Sequence, residues 1–125
     1  MIVGIGVDIV DVNRIKKIIQ GENGNRFIER TFSETEIEYC NKFKDPFTHF
    51  AGRFAVKEGF YKAVNSIVSE LALKDIETIN THSGEPKLKV KAKNFNMEKY
   101  NIKISISHTE GIAAAFVVVE AKEGV

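Results

Sequence analysis

The sequence predicts an α+β fold, and its length and the order of its patterns lead to that class. The chain has 125 residues, which is the size of one domain. Its first half carries a strand pattern followed by helical patterns, whereas its second half carries four strand patterns separated by turn residues. We therefore expect a single domain over residues 1–125, with an N-terminal strand and helices followed by two antiparallel hairpins.

The first strand is predicted over residues 2–9, which are apolar apart from Gly4, Gly6 and Asp8. Glycines inside a strand mark a bulge or the close approach of another backbone. A helix is predicted over residues 11–20, because Asp11 suits the N-cap position and one helical face is apolar. That face consists of Val12, Ile15, Ile18 and Ile19.

Three more helices are expected before residue 66. A short one is predicted around residues 26–29, after a glycine-containing loop. Ser33 and Glu36 match a capping box, which predicts a helix over residues 34–42. Pro46 starts a new segment, and apolar residues at helical spacing then predict a long helix that ends near Asn65.

The second half of the chain has strand composition at residues 76–81, 88–92, 103–107 and 113–120. Turn residues at 83–86 and at 109–111 connect these segments in pairs, which predicts two hairpins. Residues 94–100 allow a short helix between the hairpins.

Composition excludes several classes of protein. A formal net charge of +1 argues against general nucleic-acid binding. Because Cys40 is the single cysteine, neither an internal disulfide nor a thiolate zinc cluster can form within one chain. Its apolar helical surroundings predict an inert, half-buried thiol. No membrane-spanning or secretory pattern is present in the sequence, so a cytoplasmic protein is the expectation.

Asp8, Glu58 and Lys62 are the most informative candidates for chemistry. Asp8 lies in an apolar strand, where a carboxylate is costly to desolvate unless it is paired or binds a metal. Glu58 and Lys62 are four residues apart on the long helix, so an ordinary surface ion pair is one interpretation. The other is a Mg²⁺ site, since two carboxylates completed by water and substrate phosphate are its usual ligands.

The other candidate residues have either two possible roles, one functional and one structural, or only a structural role. Arg53 and Lys57 are either a solvated basic stripe or phosphate contacts, and Lys44 could reach the same place. Ser105 and Ser107 share a strand face, with His108 at the hairpin end, but no orienting acid is evident, so a serine hydrolase is rejected. The remaining histidines, His49 and His82, are expected to be solvated or structural.

The basic residues form two groups. Lysines at alternate positions from 87 to 93 are expected to protect an exposed strand edge. The first two helices carry a second group. Its first member lies at the start of the first helix, beside Asp8, which suggests docking of an acidic partner. This group consists of Arg14, Lys16, Lys17, Arg26 and Arg30.

Taken together, these segments resemble the holo-acyl-carrier-protein synthase family of phosphopantetheinyl transferases. The ordered motifs cover nearly the whole chain: Gly4-Ile-Gly-Val-Asp-Ile-Val-Asp-Val-Asn-Arg-Ile15, Arg26-Phe-Ile-Glu-Arg-Thr-Phe-Ser-Glu-Thr-Glu36, His49-Phe-Ala-Gly-Arg-Phe-Ala-Val-Lys-Glu-Gly-Phe-Tyr-Lys-Ala63, Gly84-Glu-Pro86 and Ile104-Ser-Ile-Ser-His-Thr109. The resemblance implies transfer of 4′-phosphopantetheine from coenzyme A to a serine of an apo acyl carrier protein in fatty acid biosynthesis, with release of adenosine 3′,5′-bisphosphate.

The resemblance also implies roles for particular residues. Asp8 and Glu58 would bind Mg²⁺, and Lys62 would contact the pyrophosphate and assist proton movement. The nucleotide would be held by Lys44, Arg53, Gly84, Pro86, Ser107 and His108. The 84–86 turn, Ser107 and His108 would come from a neighbouring subunit of a homotrimer. Arg14, with Lys17 and Arg26, would meet the acidic carrier protein. Either Glu58 or a water it polarises would be the base.

One segment departs from the family pattern. A glycine-rich turn commonly follows the long helix in this family, whereas this chain continues Val64-Asn-Ser-Ile-Val-Ser-Glu-Leu-Ala-Leu73. The alternative to an enzyme is a non-catalytic nucleotide- or carrier-protein-binding module with the same fold. Loss of Asp8, Glu58 or Lys62 would have favoured it, and all three are present. A nucleotide phosphohydrolase should bring further acidic ligands, which the sequence does not supply.

Overall fold

The computed structural model describes residues 1–123 and has the predicted α+β architecture. Its elements in chain order are β1 (Ile2–Asp11), α1 (Val12–Gln20), α2 (Gly24–Thr31), α3 (Glu34–Asn41), α4 (Pro46–Val64), β2 (Ile76–Asn80), β3 (Pro86–Val90), β4 (Tyr100–Thr109) and β5 (Ile112–Ala121). Single 3₁₀ turns occur at Leu73–Asp75 and Met97–Lys99.

The strands form two antiparallel sheets. Both predicted hairpins are present: β2 pairs with β3, and β4 pairs with β5. The N-terminal strand β1 pairs with the other side of β5, so the larger sheet has the order β1-β5-β4. The partner of β1 was not predicted, because strand composition indicates a strand without identifying its neighbour.

Two helix starts follow the predicted capping chemistry. The side chain of Asp11 accepts a hydrogen bond of 2.9 Å from the backbone of Asn13 at the start of α1. The capping box of α3 is complete, since Ser33 accepts from the backbone of Glu36 and Glu36 accepts from the backbone of Ser33.

Other boundaries differ from the predictions. The second helix spans Gly24–Thr31 rather than residues 26–29, and β4 begins at Tyr100 rather than at residue 103. Strand β4 is longer because its ladder with β5 extends it beyond the residues with the strongest intrinsic pattern. This ladder runs from Tyr100 opposite Ala121 to Thr109 opposite Ile112.

Helix α4 lies directly against β1. A Cβ atom on Gly4 would lie 1.8 Å from the carbonyl oxygen of Ala63, and one on Gly6 would lie 1.8 Å from that of Gly59. Only glycine allows the two backbones to approach this closely. The predicted close approach is therefore the packing of α4 on the N-terminal strand, and Asp8 follows on the same face of that strand.

The hydrophobic core lies between α4 and the inner face of the larger sheet. The buried face of α4 includes Phe50, Val56 and Phe60, and β5 contributes small and branched residues at alternate positions. Those residues are Ala113, Ala115, Val117 and Val119. The ring of Phe32 packs 4.9 Å from that of Phe50, which joins the segment between α2 and α3 to the core.

Lys57 and Glu36 form an ion pair with fully buried side chains. The ammonium group of Lys57 lies 2.6 Å from Glu36 Oε1 and also donates to the carbonyl oxygens of Leu73 and Ile76. The second oxygen of Glu36 accepts from the backbone of Thr78. Both interpretations of Lys57 from the sequence are therefore wrong, because this lysine is neither solvated nor available to a phosphate. Its partners join α4 to α3 and β2.

The outer face of the larger sheet is apolar and exposed. Ile9 and Phe116 expose 69% and 57% of their surface, and Ile5 on β1 exposes 60%. Val7 is paired with Phe116, so the exposed residues of β1 and β5 are neighbours on one face. Contiguous exposed apolar surface of this kind marks an interaction site.

No helix within residues 1–123 has the length and apolarity needed to cross a membrane.

Replacing Lys57 with methionine should lower the free energy of unfolding by about 3–5 kcal/mol, because Glu36 is then left buried without its cation. Chemical denaturation at one fixed protein concentration measures this loss. The exposed Lys93→Met variant is the matched control and should change the value by less than about 0.5 kcal/mol. Equal stability of the two variants would contradict the structural role of the pair.

Candidate functional site

Asp8, Glu58 and Lys62 meet in one depression between β1 and α4. The depression has a volume of about 290 Å³ and is lined by these three residues together with Ile9, Val10, Arg14 and Phe54. Asp8 reaches it from the inner face of β1, and Glu58 and Lys62 reach it from one face of α4. The close packing of Gly4 and Gly6 on α4 brings the strand and the helix near enough for this.

Lys62 pairs with Asp8 rather than with Glu58. Its ammonium group lies 2.8 Å from Asp8 Oδ1 and 3.2 Å from the carbonyl oxygen of Val7. The hydrogen bond to Asp8 raises the pKa of Lys62, and the charges of Asp8 and Glu58 raise it further. The surface Glu58–Lys62 ion pair considered from the sequence is therefore absent from the described residues, and the Glu58 carboxylate has no ion-pair partner among them.

The donor chemistry of this depression fits a hard divalent cation with few protein ligands. Among residues 1–123 no group of three or more histidine, cysteine or acidic side chains converges as a metal cage. Mg²⁺ is commonly held by only one or two carboxylates, with waters and substrate phosphates as its other ligands. Asp8 and Glu58 supply two carboxylates that line the same open depression, which is compatible with that mode.

Basic residues of the first two helices are exposed, and one of them lines this depression. Arg14 lies at its edge, in the first turns of α1. Lys17 is exposed further along α1, and Arg26 is exposed on α2. All three are available to a partner.

A second depression, of about 490 Å³, contains Lys44 and His108. It lies between the loop before α4 and the end of the β4–β5 hairpin, and it also includes His49 and Thr48. The ring of His49 stacks on Phe43 at 3.6 Å and lies 6.0 Å from the ring of His108. Burial lowers the pKa of His49, and the charges of Arg53 and His108 lower it further.

The stacking of His49 on Phe43 agrees with the structural role expected for this histidine from the sequence.

Arg53 is buried and tied to the β2–β3 turn. Its guanidinium group lies 3.9 Å from the centre of the Tyr39 ring and donates a 2.5 Å hydrogen bond to Asn80 Oδ1. Asn80 in turn donates to the carbonyl oxygen of Gly84, whose φ of +86° favours glycine. Within the described chain, Arg53 Nε has no hydrogen-bond partner. Tyr39 and Asn80, which the sequence analysis did not select, thus hold Arg53 beside the 84–86 turn.

The other residues predicted to hold the nucleotide, Pro86 and Ser107, lie outside the Lys44 depression. Pro86 begins β3 and lines a small depression against β4. Ser107 pairs with Ala114 and lies on the outer face of the larger sheet, whereas His108 alternates to the inner face. The depression of Asp8 and that of Lys44 share no lining residue. In one chain, the predicted site residues therefore do not converge on a single site.

Cys40 is fully buried rather than half-buried, because α3 packs it against α4. Burial raises the pKa of its thiol to about 12, so it is not a nucleophile at neutral pH.

A further cavity adjoins the Asp8 depression and was not anticipated from the sequence. It has a volume of about 650 Å³ and lies between α4 and the irregular segment 69–73. Glu58 lines both this cavity and the depression of Asp8 and Lys62. Tyr61 forms part of its helical wall.

Comparison with known proteins relates the whole chain to one family. The family model described as the 4′-phosphopantetheinyl transferase superfamily matches residues 4–117. The holo-[acyl-carrier-protein] synthase of Thermodesulfovibrio yellowstonii is 46% identical, over 95% of this chain and 99% of that protein. The corresponding protein of Oceanobacillus iheyensis is 42% identical, over 98% of this chain and 100% of that protein.

Solved structures have the same fold. The holo-(acyl-carrier-protein) synthase of Bacillus anthracis, in complex with CoA (3′,5′-ADP), superposes with a TM-score of 0.81 at 37% identity, over 98% of this chain and 99% of that one. That of Helicobacter pylori, in complex with coenzyme A, superposes with a TM-score of 0.80 at 35% identity, over 93% of this chain and 99% of that one.

Proposed function

Because the chain belongs to the 4′-phosphopantetheinyl transferase superfamily, we propose that it is a holo-[acyl-carrier-protein] synthase. It transfers 4′-phosphopantetheine from coenzyme A to a serine of an apo acyl carrier protein of fatty acid biosynthesis and releases adenosine 3′,5′-bisphosphate. The observation that carries the proposal is the meeting of Asp8, Glu58 and Lys62 in one depression of a chain with this relationship. A binding module without catalysis would not need two carboxylates and a lysine at this position.

The charges of the depression suit an attack on a pyrophosphate. Asp8 and Glu58 would hold Mg²⁺, which when bound neutralises pyrophosphate charge and orients the reacting phosphoryl group. Lys62, whose pKa is raised, stays protonated and can donate to the oxygens of the same pyrophosphate. Its present hydrogen bond to Asp8 keeps the ammonium group at the edge of the depression.

The transfer itself exchanges one phosphorus–oxygen bond for another. The serine oxygen of the carrier protein bonds to the phosphorus that bears pantetheine, and the bond from that phosphorus to the bridging oxygen breaks. Adenosine 3′,5′-bisphosphate leaves with that oxygen. The serine proton passes to the Glu58 carboxylate, directly or through one water, as expected of a base within reach of the nucleophile.

The nucleotide is held by Lys44, Arg53 and His108, with the 84–86 turn and Ser107. Lys44 and His108 present cationic or hydrogen-bonding groups in one depression, which suits a phosphate. Arg53 is held rigidly by Tyr39 and Asn80, so little side-chain freedom is lost when it meets an anion.

The complete site forms between subunits of a homotrimer. His49, in the Lys44 depression, precedes Glu58 by nine residues of α4, which is about 14 Å along the helix. The two depressions also share no lining residue, which favours a site completed by a second subunit. The exposed apolar face of β1 and β5 supplies a surface that a second subunit can cover. In the trimer, His108, Ser107 and the 84–86 turn come from the neighbour of the chain that supplies Asp8 and Glu58.

An acidic carrier protein docks on the basic surface of α1 and α2. Arg14 is exposed at the edge of the catalytic depression, so a carrier bound there has its serine near Glu58. Lys17 and Arg26 extend the positive surface away from the site. Complementary charges of this kind accelerate encounter and fix orientation.

Intact mass spectrometry of an apo acyl carrier protein tests the reaction. Incubation with this protein, coenzyme A and Mg²⁺ should add the mass of phosphopantetheine, and a chelator should prevent the gain. Glu58→Gln should lower kcat by about 100-fold or more with the fold retained, because it removes a base and a metal ligand without changing volume. No mass gain with several carrier proteins, although coenzyme A binds, would favour the non-catalytic module.

Reversing the charge of Arg14 tests the docking surface. Arg14→Glu should raise the KM for carrier protein by about tenfold, equivalent to about 1.4 kcal/mol, and leave the KM for coenzyme A nearly unchanged. Steady-state kinetics with each substrate varied in turn separates the two constants. The exposed Lys93→Glu variant is the matched charge reversal and should alter neither. Equal changes in both constants for Arg14→Glu would reject the assignment.

A further inference from the structure

We propose that Lys62 competes with the divalent cation for Asp8, so that the protein binds the metal tightly only after coenzyme A has drawn Lys62 onto its pyrophosphate. The inference rests on the proposed function and deepens it. It gives Lys62 control over the affinity for metal, in addition to its contact with the substrate, and it makes the binding of metal and of coenzyme A interdependent.

The contacts of Lys62 place its charge where a metal ion bound to Asp8 would lie. Its ammonium group lies 2.8 Å from Asp8 Oδ1 and 3.2 Å from the carbonyl oxygen of Val7, so β1 holds it at two points. Mg²⁺ binds carboxylate oxygens at about 2.0–2.1 Å, so an ion on the same oxygen would lie within about 5 Å of the ammonium group. Two cations at that separation repel each other, and the repulsion persists, although weaker, at the other oxygen of the carboxylate.

Lys62 is the partner that can move. Its side chain is 52% exposed, against 16% for that of Asp8. Asp8 is also fixed by the pairing of β1 with β5, where it lies opposite Ala115. A lysine side chain has a flexible four-carbon stem, and an exposed ion pair contributes little to stability. A ligand with a stronger claim on Lys62 can therefore remove it from Asp8 without disturbing the fold.

Glu58 does not compensate for the occupied Asp8. Among residues 1–123 the Glu58 carboxylate has no ion-pair partner, so it is available to a metal ion. Mg²⁺ sites in proteins usually combine one or two carboxylates with the phosphates of a substrate. Glu58 and water alone supply neither a second carboxylate nor a phosphate. While Lys62 holds Asp8, the depression is therefore a weak site for the metal.

The pyrophosphate of coenzyme A offers Lys62 a different partner. In the proposed reaction this anion lies over the same depression, within reach of the helix face that carries Lys62. When Lys62 donates to a phosphate oxygen, Asp8 loses its counter-ion and can bind the metal, which also binds the phosphates. Metal and coenzyme A then raise the affinity of the protein for each other by the same factor. Lys62 enlarges this factor, because it penalises chiefly the metal complex that forms without coenzyme A.

Removing the ammonium group tests the competition without any turnover. Mn²⁺ is the probe, its unbound fraction is measured by electron paramagnetic resonance, and carrier protein is omitted. Without coenzyme A, Lys62→Met should bind Mn²⁺ about tenfold more tightly than the wild-type protein, because nothing then competes for Asp8. The increase in Mn²⁺ affinity on addition of coenzyme A should be severalfold smaller in Lys62→Met than in the wild-type protein.

Two further variants separate the contact with Asp8 from a general effect of charge. Arg14 lines the same depression but forms no ion pair within residues 1–123. Arg14→Gln should therefore tighten Mn²⁺ binding by less than about twofold. Lys62→Arg keeps the positive charge and should keep the weak Mn²⁺ binding of the wild-type protein.

The outcomes separate this competition from the proposed function. Wild-type or weaker Mn²⁺ affinity in Lys62→Met, with the fold retained by circular dichroism, would overturn the competition. Equal tightening in Lys62→Met and Arg14→Gln would overturn it as well, because the contact with Asp8 would then be irrelevant. Failure of the wild-type protein to modify a carrier protein would instead contradict the proposed function, since the Mn²⁺ measurements involve no transfer.

Discussion

The contact between the backbones of β1 and α4 is the constraint on which the site depends. Any side chain at Gly4 or Gly6 would place its Cβ atom 1.8 Å from a carbonyl oxygen of α4, so these positions admit only glycine while the helix stays in place. The contact positions Asp8, two residues after Gly6, against the helix face that carries Glu58 and Lys62. Two carboxylates and an ammonium group meet because two glycines remove the space between strand and helix.

Helix α4 is fixed on its other side by a buried charge. Lys57 and Glu58 are neighbours in sequence, but Lys57 is buried against Glu36 and the carbonyl groups of Leu73 and Ile76, whereas Glu58 lines the Asp8 depression and the adjoining cavity. Each buried hydrogen-bonding group of Lys57 has a partner, which is the condition under which a buried ion pair is tolerated. The same lysine donates to the carbonyl oxygen of Leu73, so it also fixes one wall of the cavity beside Glu58.

Local chemistry in the sequence was sufficient for much of the fold. The Asp11 cap, the Ser33–Glu36 capping box and both hairpins are confirmed, because each depends on residues close together in the chain. The pairing of β1 with β5 and the burial of Lys57 depend on distant partners, and neither follows from a local pattern. An apolar strand or a helical lysine is compatible with several neighbours.

The candidate site was predictable to a similar extent. The meeting of Asp8 with Glu58 and Lys62 was anticipated from an acidic residue in an apolar strand. Tyr39 and Asn80 were missed, because their role comes from contacts with Arg53 that only the folded chain creates. The cavity beside Glu58 was missed because an irregular segment has no periodicity to interpret.

The separation of the predicted site residues within one chain makes the subunit junction the central claim. Mixing two inactive variants tests it most directly: Asp8→Ala removes the catalytic half of a shared site, and His108→Ala removes the nucleotide half. If the halves come from different subunits, refolding the variants together should restore about one functional site in four in random trimers. Activity no greater than the sum of the two separate variants would show that each chain carries its whole site and would contradict the account.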